Sequence, residues 1–113
     1  MRSVTFILTL LVASATIAQS KFESAILKGK QLIENPDTVT GLQNAANYFQ
    51  RVAQKETSEW LPLYYQAQVL TFIASRDVDL ESKEATLNTA LKLIESGKKI
   101  EKNSELLALE GFV

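Results

Sequence analysis

The stretch LQNAANYFQRVA, residues 42–53, decides the fold class because its apolar side chains recur at steps of three and four residues. That spacing places them on one side of an α-helix, whereas a half-buried strand would alternate apolar and polar residues. Small and large residues are mixed on this side: Leu42, Ala45, Ala46, Phe49, Val52 and Ala53. Small side chains let helix axes approach to about 8–10 Å, and large ones fill the gaps. We therefore predict a helix from Thr38 or Thr40 to about Lys55, packed against other helices.

Further segments of the chain carry the same helical spacing, and turn or capping residues separate them. Asn35-Pro36-Asp37 ends the first segment, because proline disfavours helix in the residue before it. Pro62 is tolerated in the first turn of the third helix, whose N-cap is expected at Thr57 or Ser58. The expected helices cover residues 22–33, Trp60 to Ala74, Leu80 to a C-cap at Gly97, and Asn103 or Ser104 to Phe112. The sequence thus predicts an all-α protein of about five helices in antiparallel pairs.

The composition excludes most catalytic chemistry. The chain has no Cys and no His, so it cannot build a thiolate nucleophile, a Ser-His-Asp arrangement or the usual zinc and copper ligand sets. Its net charge of -1 does not favour nucleic acid. Carboxylate pairs remain at Glu56/Glu59 and Glu81/Glu84, but no apolar pocket is indicated that would raise their pKa. We therefore expect no enzyme, no metal and no cofactor.

Residues 1–18 have the pattern of a secretory signal peptide. Arg2 gives a positive start, Val4 to Ala13 form an apolar run, and Thr16-Ile17-Ala18 precedes a cleavage site between Ala18 and Gln19. An uncleaved membrane anchor is the alternative, but the run of about ten residues is shorter than the ~20 that span a bilayer. We expect an exported domain, periplasmic or secreted, made of residues 19–113 and without a membrane span.

The end of the sequence lacks a stop signal, since Phe112-Val113 is apolar and no polar tail follows it. This is typical of a truncated fragment whose last helix continues. The alternative is a complete terminus, in which a short final helix docks its last side chains.

Two segments of about forty residues repeat one plan of helix, polar connector and helix, as solenoid proteins do. Within them the chain resembles the tetratricopeptide repeat (TPR) in its order of small and bulky residues. Departures are Trp60 ahead of the expected aromatic position, Lys83 where a small residue is expected, and a long connector over residues 35–40. The positions that carry the resemblance are Ala45, Phe49, Val52, Leu63, Ala67, Leu70, Leu87, Ala90, Leu107 and Gly111.

The whole chain after residue 18 also resembles short exported proteins of Gram-negative bacteria, in which a signal peptide precedes segments like residues 45–53 and 60–65. The TPR resemblance implies a short solenoid whose concave face binds a protein or a peptide. If Leu63 takes the first bulky position of a repeat, the residues that line this face are Tyr64, Gln68 and Thr71. The alternative function is a small-molecule or glycan accessory module built on the aromatic rings of Trp60 and Tyr65, which would otherwise serve as core.

Two polar groups have a functional and a simpler interpretation. A linker with three lysines could steer an anionic partner, although such a linker is usually only solvated. Asn44, Asn47 and Arg51 share one helix face and could contact a partner, although a solvent-exposed face is preferred. The three lysines are Lys98, Lys99 and Lys102.

Overall fold

A computed structural model describes residues 20–34, 39–101 and 104–113. Within these ranges the chain is helical apart from short connections and contains no strand, which confirms the all-α prediction. The helices are α1 (residues 20–34), α2 (Val39–Lys55), α3 (Leu61–Arg76), α4 (Leu80–Ile100) and α5 (Ser104–Phe112). The predictions for the signal peptide, Asn35-Pro36-Asp37, Thr38, Lys102 and Asn103 lie outside the described residues. No described helix is both long and apolar enough to cross a membrane.

Helix α3 lies at the centre of the packing. It packs against α2 on one side and α4 on the other, while α5 packs against α4 and touches α3. Only residues 56–60 join α2 to α3, and only residues 77–79 join α3 to α4. Because these connections are so short, helices that pack along their length must run antiparallel to each other.

Contacts between α1 and α2 show that these two helices are antiparallel as well. The hydroxyl of Tyr48 donates a hydrogen bond of 2.6 Å to the carbonyl of Ala25. Towards the other end of the pair, Ile33 packs against the cluster that contains Leu42. As the residue number rises along α1, the contacts therefore fall along α2.

Two groups of buried side chains form the core. One contains Leu42, Ala45, Ala46 and Val69 and joins α2 to α3; the other contains Ala67, Ala90, Ile94, Leu106 and Leu109 and joins α3 to α4 and α5. Leu70 is half-buried and packs against both. The four alanines of these clusters are at most 2% exposed, so small residues do lie between packed helices, whereas Ala53, also predicted at a helix contact, is half-buried.

The predicted end of α4 at Gly97 is wrong, because the helix continues to Ile100. No described glycine has a positive φ, so Gly97 does not act as a left-handed C-cap. It is buried instead, and a Cβ there would lie 3.2 Å from Cδ2 of Leu106 on α5. Glycine is thus placed for close helix approach, and Lys98 and Lys99 belong to the last turn of α4 rather than to a linker.

The starts of α3 and α4 are built differently. The N-cap of α3 is Trp60, which makes no side-chain capping bond, so the predicted caps Thr57 and Ser58 are wrong. Pro62 lies in the first turn, where its missing N–H leaves no bond unmade. The N-cap of α4 is Asp79, whose carboxylate accepts a 3.1 Å bond from the Ser82 amide. Helix α4 therefore starts at a residue whose side chain bonds to a backbone amide that has no partner within the helix.

A close contact between α1 and α2 provides a test of the packing. A Cβ at Gly29 would lie 2.6 Å from Cε1 of Phe49 and 2.8 Å from Cε1 of Tyr48, whereas one at Gly111 would meet nothing within 4 Å. Overpacking costs about 1–3 kcal/mol, and Gly→Ala in a helix gains up to about 1 kcal/mol. We expect Gly29→Ala to lower the free energy of unfolding by about 1–2 kcal/mol in urea titrations, and Gly111→Ala to leave it unchanged or raise it. Equal stabilisation by both substitutions would contradict the α1–α2 contact.

Candidate functional site

The candidate site is the groove between α3 and α5, which encloses about 270 Å³. Its walls are residues at helical spacing on the two helices, because each helix contributes one row of side chains about one turn apart. We call it the α3/α5 groove. It is lined by Tyr64, Gln68, Thr71 and Phe72 from α3 and by Glu105, Ala108, Leu109 and Phe112 from α5.

All three residues predicted to line the binding face do line this groove, but they are not equally available to a ligand. Thr71 is only 5% exposed, and its hydroxyl donates a 2.9 Å hydrogen bond to the carbonyl of Ala67. Gln68 is half-buried, and its side chain makes no hydrogen bond to another described residue. Of these two side chains, only the amide of Gln68 can therefore form new hydrogen bonds, while Thr71 shapes the floor.

Tyr64 connects the groove to the core. Its ring packs edge-on against Trp60 at 6.0 Å and against Tyr65 at 5.2 Å between centroids. Burial raises the pKa of the Tyr64 phenol, and electrostatic interactions with Glu105 and Tyr65 raise it further. Since these effects all favour the neutral phenol, Tyr64 presents a hydrogen-bond donor at neutral pH.

The sequence reasoning missed the α5 wall of the groove. Phe112 is 71% exposed and provides its largest apolar surface, and Glu105 provides its carboxylate. The interval from Glu105 to Phe112 is about two helical turns, so the pattern places both on one face. The pattern does not predict which face of so short a helix turns towards α3.

The repeat positions fall into three groups. Ala45, Phe49, Ala67 and Ala90 are buried, while Val52, Leu63, Leu70 and Leu87 are half-buried. In α5, however, Leu106 and Leu109 are buried, while Leu107 is 44% exposed and Gly111 faces open space. The expected packing of Leu107 and Gly111 as the opening of a further repeat is therefore not seen among the described contacts.

The aromatic rings of Trp60 and Tyr65 do not form one platform. Trp60 packs with Tyr64 against the Ala67–Ala90 core, whereas Tyr65 stacks on Phe49 at 5.2 Å with an interplanar angle of 23°. Both side chains are half-buried. The geometry therefore favours packing roles for the two rings over a shared sugar-binding face.

Lys98 is part of a helix contact rather than a free positive charge. Its ammonium donates to Glu110 of α5 at 2.9 Å and to Glu95 of its own helix at 3.0 Å. The hydrogen bond to Glu110 has the larger effect in raising the pKa of Lys98, and the bond to Glu95 raises it further. Lys98 therefore ties α5 to α4, while Lys99 is exposed.

The remaining polar candidates lie on the surface. Asn44, Asn47 and Arg51 are exposed, as the simpler interpretation predicts, and Gln43 donates a 3.3 Å bond to Asn47. Glu81 and Glu84 are exposed, and Glu56 and Glu59 are half-buried. Among the described residues, no group of three or more acidic side chains is placed to hold a metal ion. No protein-family model, curated protein or solved structure matches this chain.

The Lys98–Glu110 pair generates a prediction for the position of α5. The pKa of Lys98 is raised in the folded state, so the charged Lys98 side chain stabilises the fold. This stabilisation is fully present below the ordinary lysine pKa and is lost as the pH rises through the raised value. We expect Lys98→Met and Glu110→Gln to destabilise the fold less in combination than the sum of the single changes, measured by urea unfolding.

Glu95→Gln is the matched control, since the Glu95 side chain is 58% exposed against 35% for Glu110 and lies on the same helix as Lys98. Its coupling with Lys98→Met should be smaller. Strictly additive effects for Lys98 and Glu110 would show that the pair does not hold α5 in place.

Proposed function

We propose that this chain is a non-enzymatic, TPR-like scaffold that binds a polypeptide through the α3/α5 groove. The observation that carries the proposal is that Tyr64, Gln68 and Thr71, chosen from the repeat pattern, line one groove whose opposite wall bears the exposed ring of Phe112. Exposed aromatic rings beside hydrogen-bonding groups are typical of binding hot spots.

The packing of alternate helices supports a TPR-like arrangement. Helix α3 touches α5, and Leu61 at its start shares a small surface pocket with Phe22 and Ile26 of α1. Lys30 of α1 also lies 5.9 Å from the ring centre of Tyr65. Helix α3 is thus a neighbour of both α1 and α5, as the first helices of successive repeats follow one another in a solenoid.

The groove chemistry defines the kind of peptide that fits. A volume of about 270 Å³ is near the lower limit for small-molecule sites, so it suits one anchor side chain rather than a whole ligand. Phe72, Leu109 and Phe112 favour an apolar anchor. Tyr64 donates a hydrogen bond, and Glu105 favours a basic residue next to the anchor. We propose an apolar-basic peptide as the ligand.

We also propose that the domain is exported after removal of residues 1–18. The support is the charged start, the short apolar run and the small residues before Gln19. Expressed in a Gram-negative host, the chain should be recovered outside the cytoplasm with the mass of residues 19–113, as measured by intact-mass spectrometry. Retention of Met1 in the recovered protein would exclude cleavage and favour the uncleaved anchor.

The groove is tested with peptides selected from a displayed random library. Phe112→Ala should weaken the selected peptides by about tenfold or more, since removing an exposed hot-spot ring costs about 2 kcal/mol. The matched control is Leu107→Ala, which removes an exposed apolar side chain from α5 outside the groove. Affinity is measured by fluorescence anisotropy.

Tyr64→Phe and Gln68→Ala examine the hydrogen-bonding groups with little change to the core, whereas Tyr64→Ala would also remove packing against Trp60. Both should weaken the apolar-basic peptides and leave the thermal unfolding curve in place. If Leu107→Ala weakens binding as much as Phe112→Ala, the groove is not the site.

A further inference from the structure

A second groove lies between α1 and α2, on residues that the proposed function does not use. It encloses about 550 Å³, against about 270 Å³ for the α3/α5 groove. We call it the basic groove. It is lined by Lys21, Phe22, Ala25 and Lys28 from α1, by Tyr48, Arg51, Val52 and Lys55 from α2, and by Glu56.

The charge of this groove is not a consequence of the composition. The whole chain carries 12 basic and 13 acidic residues, yet four cations and one carboxylate line the basic groove. Helix α2 contains no acidic residue at all. None of these four cations makes a salt bridge within the described part of the chain. The groove therefore concentrates positive charge on a mildly acidic protein.

The cations stand on both rims of the groove. Lys21 and Lys28 are seven residues apart on α1, about 10 Å at the helical rise, and Arg51 and Lys55 are four apart on α2, about 6 Å. All four side chains are exposed. The two rims are held together where the Tyr48 hydroxyl donates to the Ala25 carbonyl.

The floor between the rims is apolar. Phe22, Ala25 and Val52 line it and are half-buried, while the Tyr48 hydroxyl is already bonded to backbone. An occupant therefore gains by placing an apolar group on the floor and negative charges at the rims. A purely charged ligand would leave the floor uncovered.

We infer that the basic groove binds an acidic polypeptide segment that carries apolar side chains between its carboxylates. A compact anion needs donors that converge on one point, whereas these cations are spread along two helices. Alternate residues of an extended peptide are about 6–7 Å apart, which matches the spacing of Arg51 and Lys55. This inference does not rest on the α3/α5 groove, and either surface can fail its test while the other holds.

The test uses a fluorescein-labelled peptide of alternating Glu and Leu, with alternating Gln and Leu as the uncharged probe. We expect the acidic peptide to bind and the uncharged one to bind at least about tenfold more weakly, as measured by anisotropy. Raising the salt from about 0.1 to about 1 M shortens the Debye length from about 10 to about 3 Å and should release the acidic peptide.

Charge reversal on both rims, Lys28→Glu with Arg51→Glu, should weaken the acidic peptide by about tenfold or more. The matched control is Lys92→Glu with Lys99→Glu, which makes the same change of net charge at exposed positions of α4. Circular dichroism and thermal unfolding establish that both double variants are folded. Phe112→Ala should leave this binding unchanged.

Three outcomes would overturn the inference. The first is equal weakening by the two double variants, because only net charge would then matter. The second is equal binding of the charged and uncharged peptides. The third is dependence on Lys28 and Arg51 that is seen with phosphate, phosphatidylglycerol vesicles or a single-stranded oligonucleotide but not with the acidic peptide, since another class of anion would then occupy the groove.

Discussion

Close approach of the helices at small residues is the constraint on which the structure depends. Ala46 on α2, Ala67 on α3 and Ala90 on α4 are at most 2% exposed. Gly29 and Gly97 lie where a Cβ would press on a neighbouring side chain. Close axes let Phe49 and the aromatic residues of α3 pack edge-on and stacked rather than face water. Each helix then exposes less of its surface to solvent, and a groove remains along the edge of each helix–helix contact.

The sequence predicts the helices well because burial of one side of a helix imposes a local spacing that can be seen without the fold. It predicts their ends less well. Glycine serves either as a left-handed cap or as a point of close approach, and only the contact of Gly97 with Leu106 on another helix separates the two uses. Likewise Thr57 and Ser58 are good capping residues by type, but the chain enters α3 through Trp60 and Pro62.

The residues of the candidate site could likewise be predicted only in part from the sequence. Its α3 wall follows from helical spacing once Leu63 is placed, so Tyr64, Gln68 and Thr71 could be named in advance. Its α5 wall depends on how α5 is rotated, which is fixed by the burial of Leu106 and by the pair between Lys98 and Glu110. Those are contacts between helices, and no periodicity within α5 encodes them.

The two proposed surfaces differ in charge and are joined by packed rings. Glu105 makes the α3/α5 groove acidic, whereas the basic groove carries four cations, and the near-zero net charge conceals this asymmetry. From Tyr48 a series of contacting rings runs through Phe49 and Tyr65 to Tyr64. Closely packed rings of this kind transmit a conformational change only if the rings have a second stable arrangement. The structure shows one arrangement of these rings, so we expect the two proposed grooves to bind partners of opposite charge independently rather than with allosteric coupling.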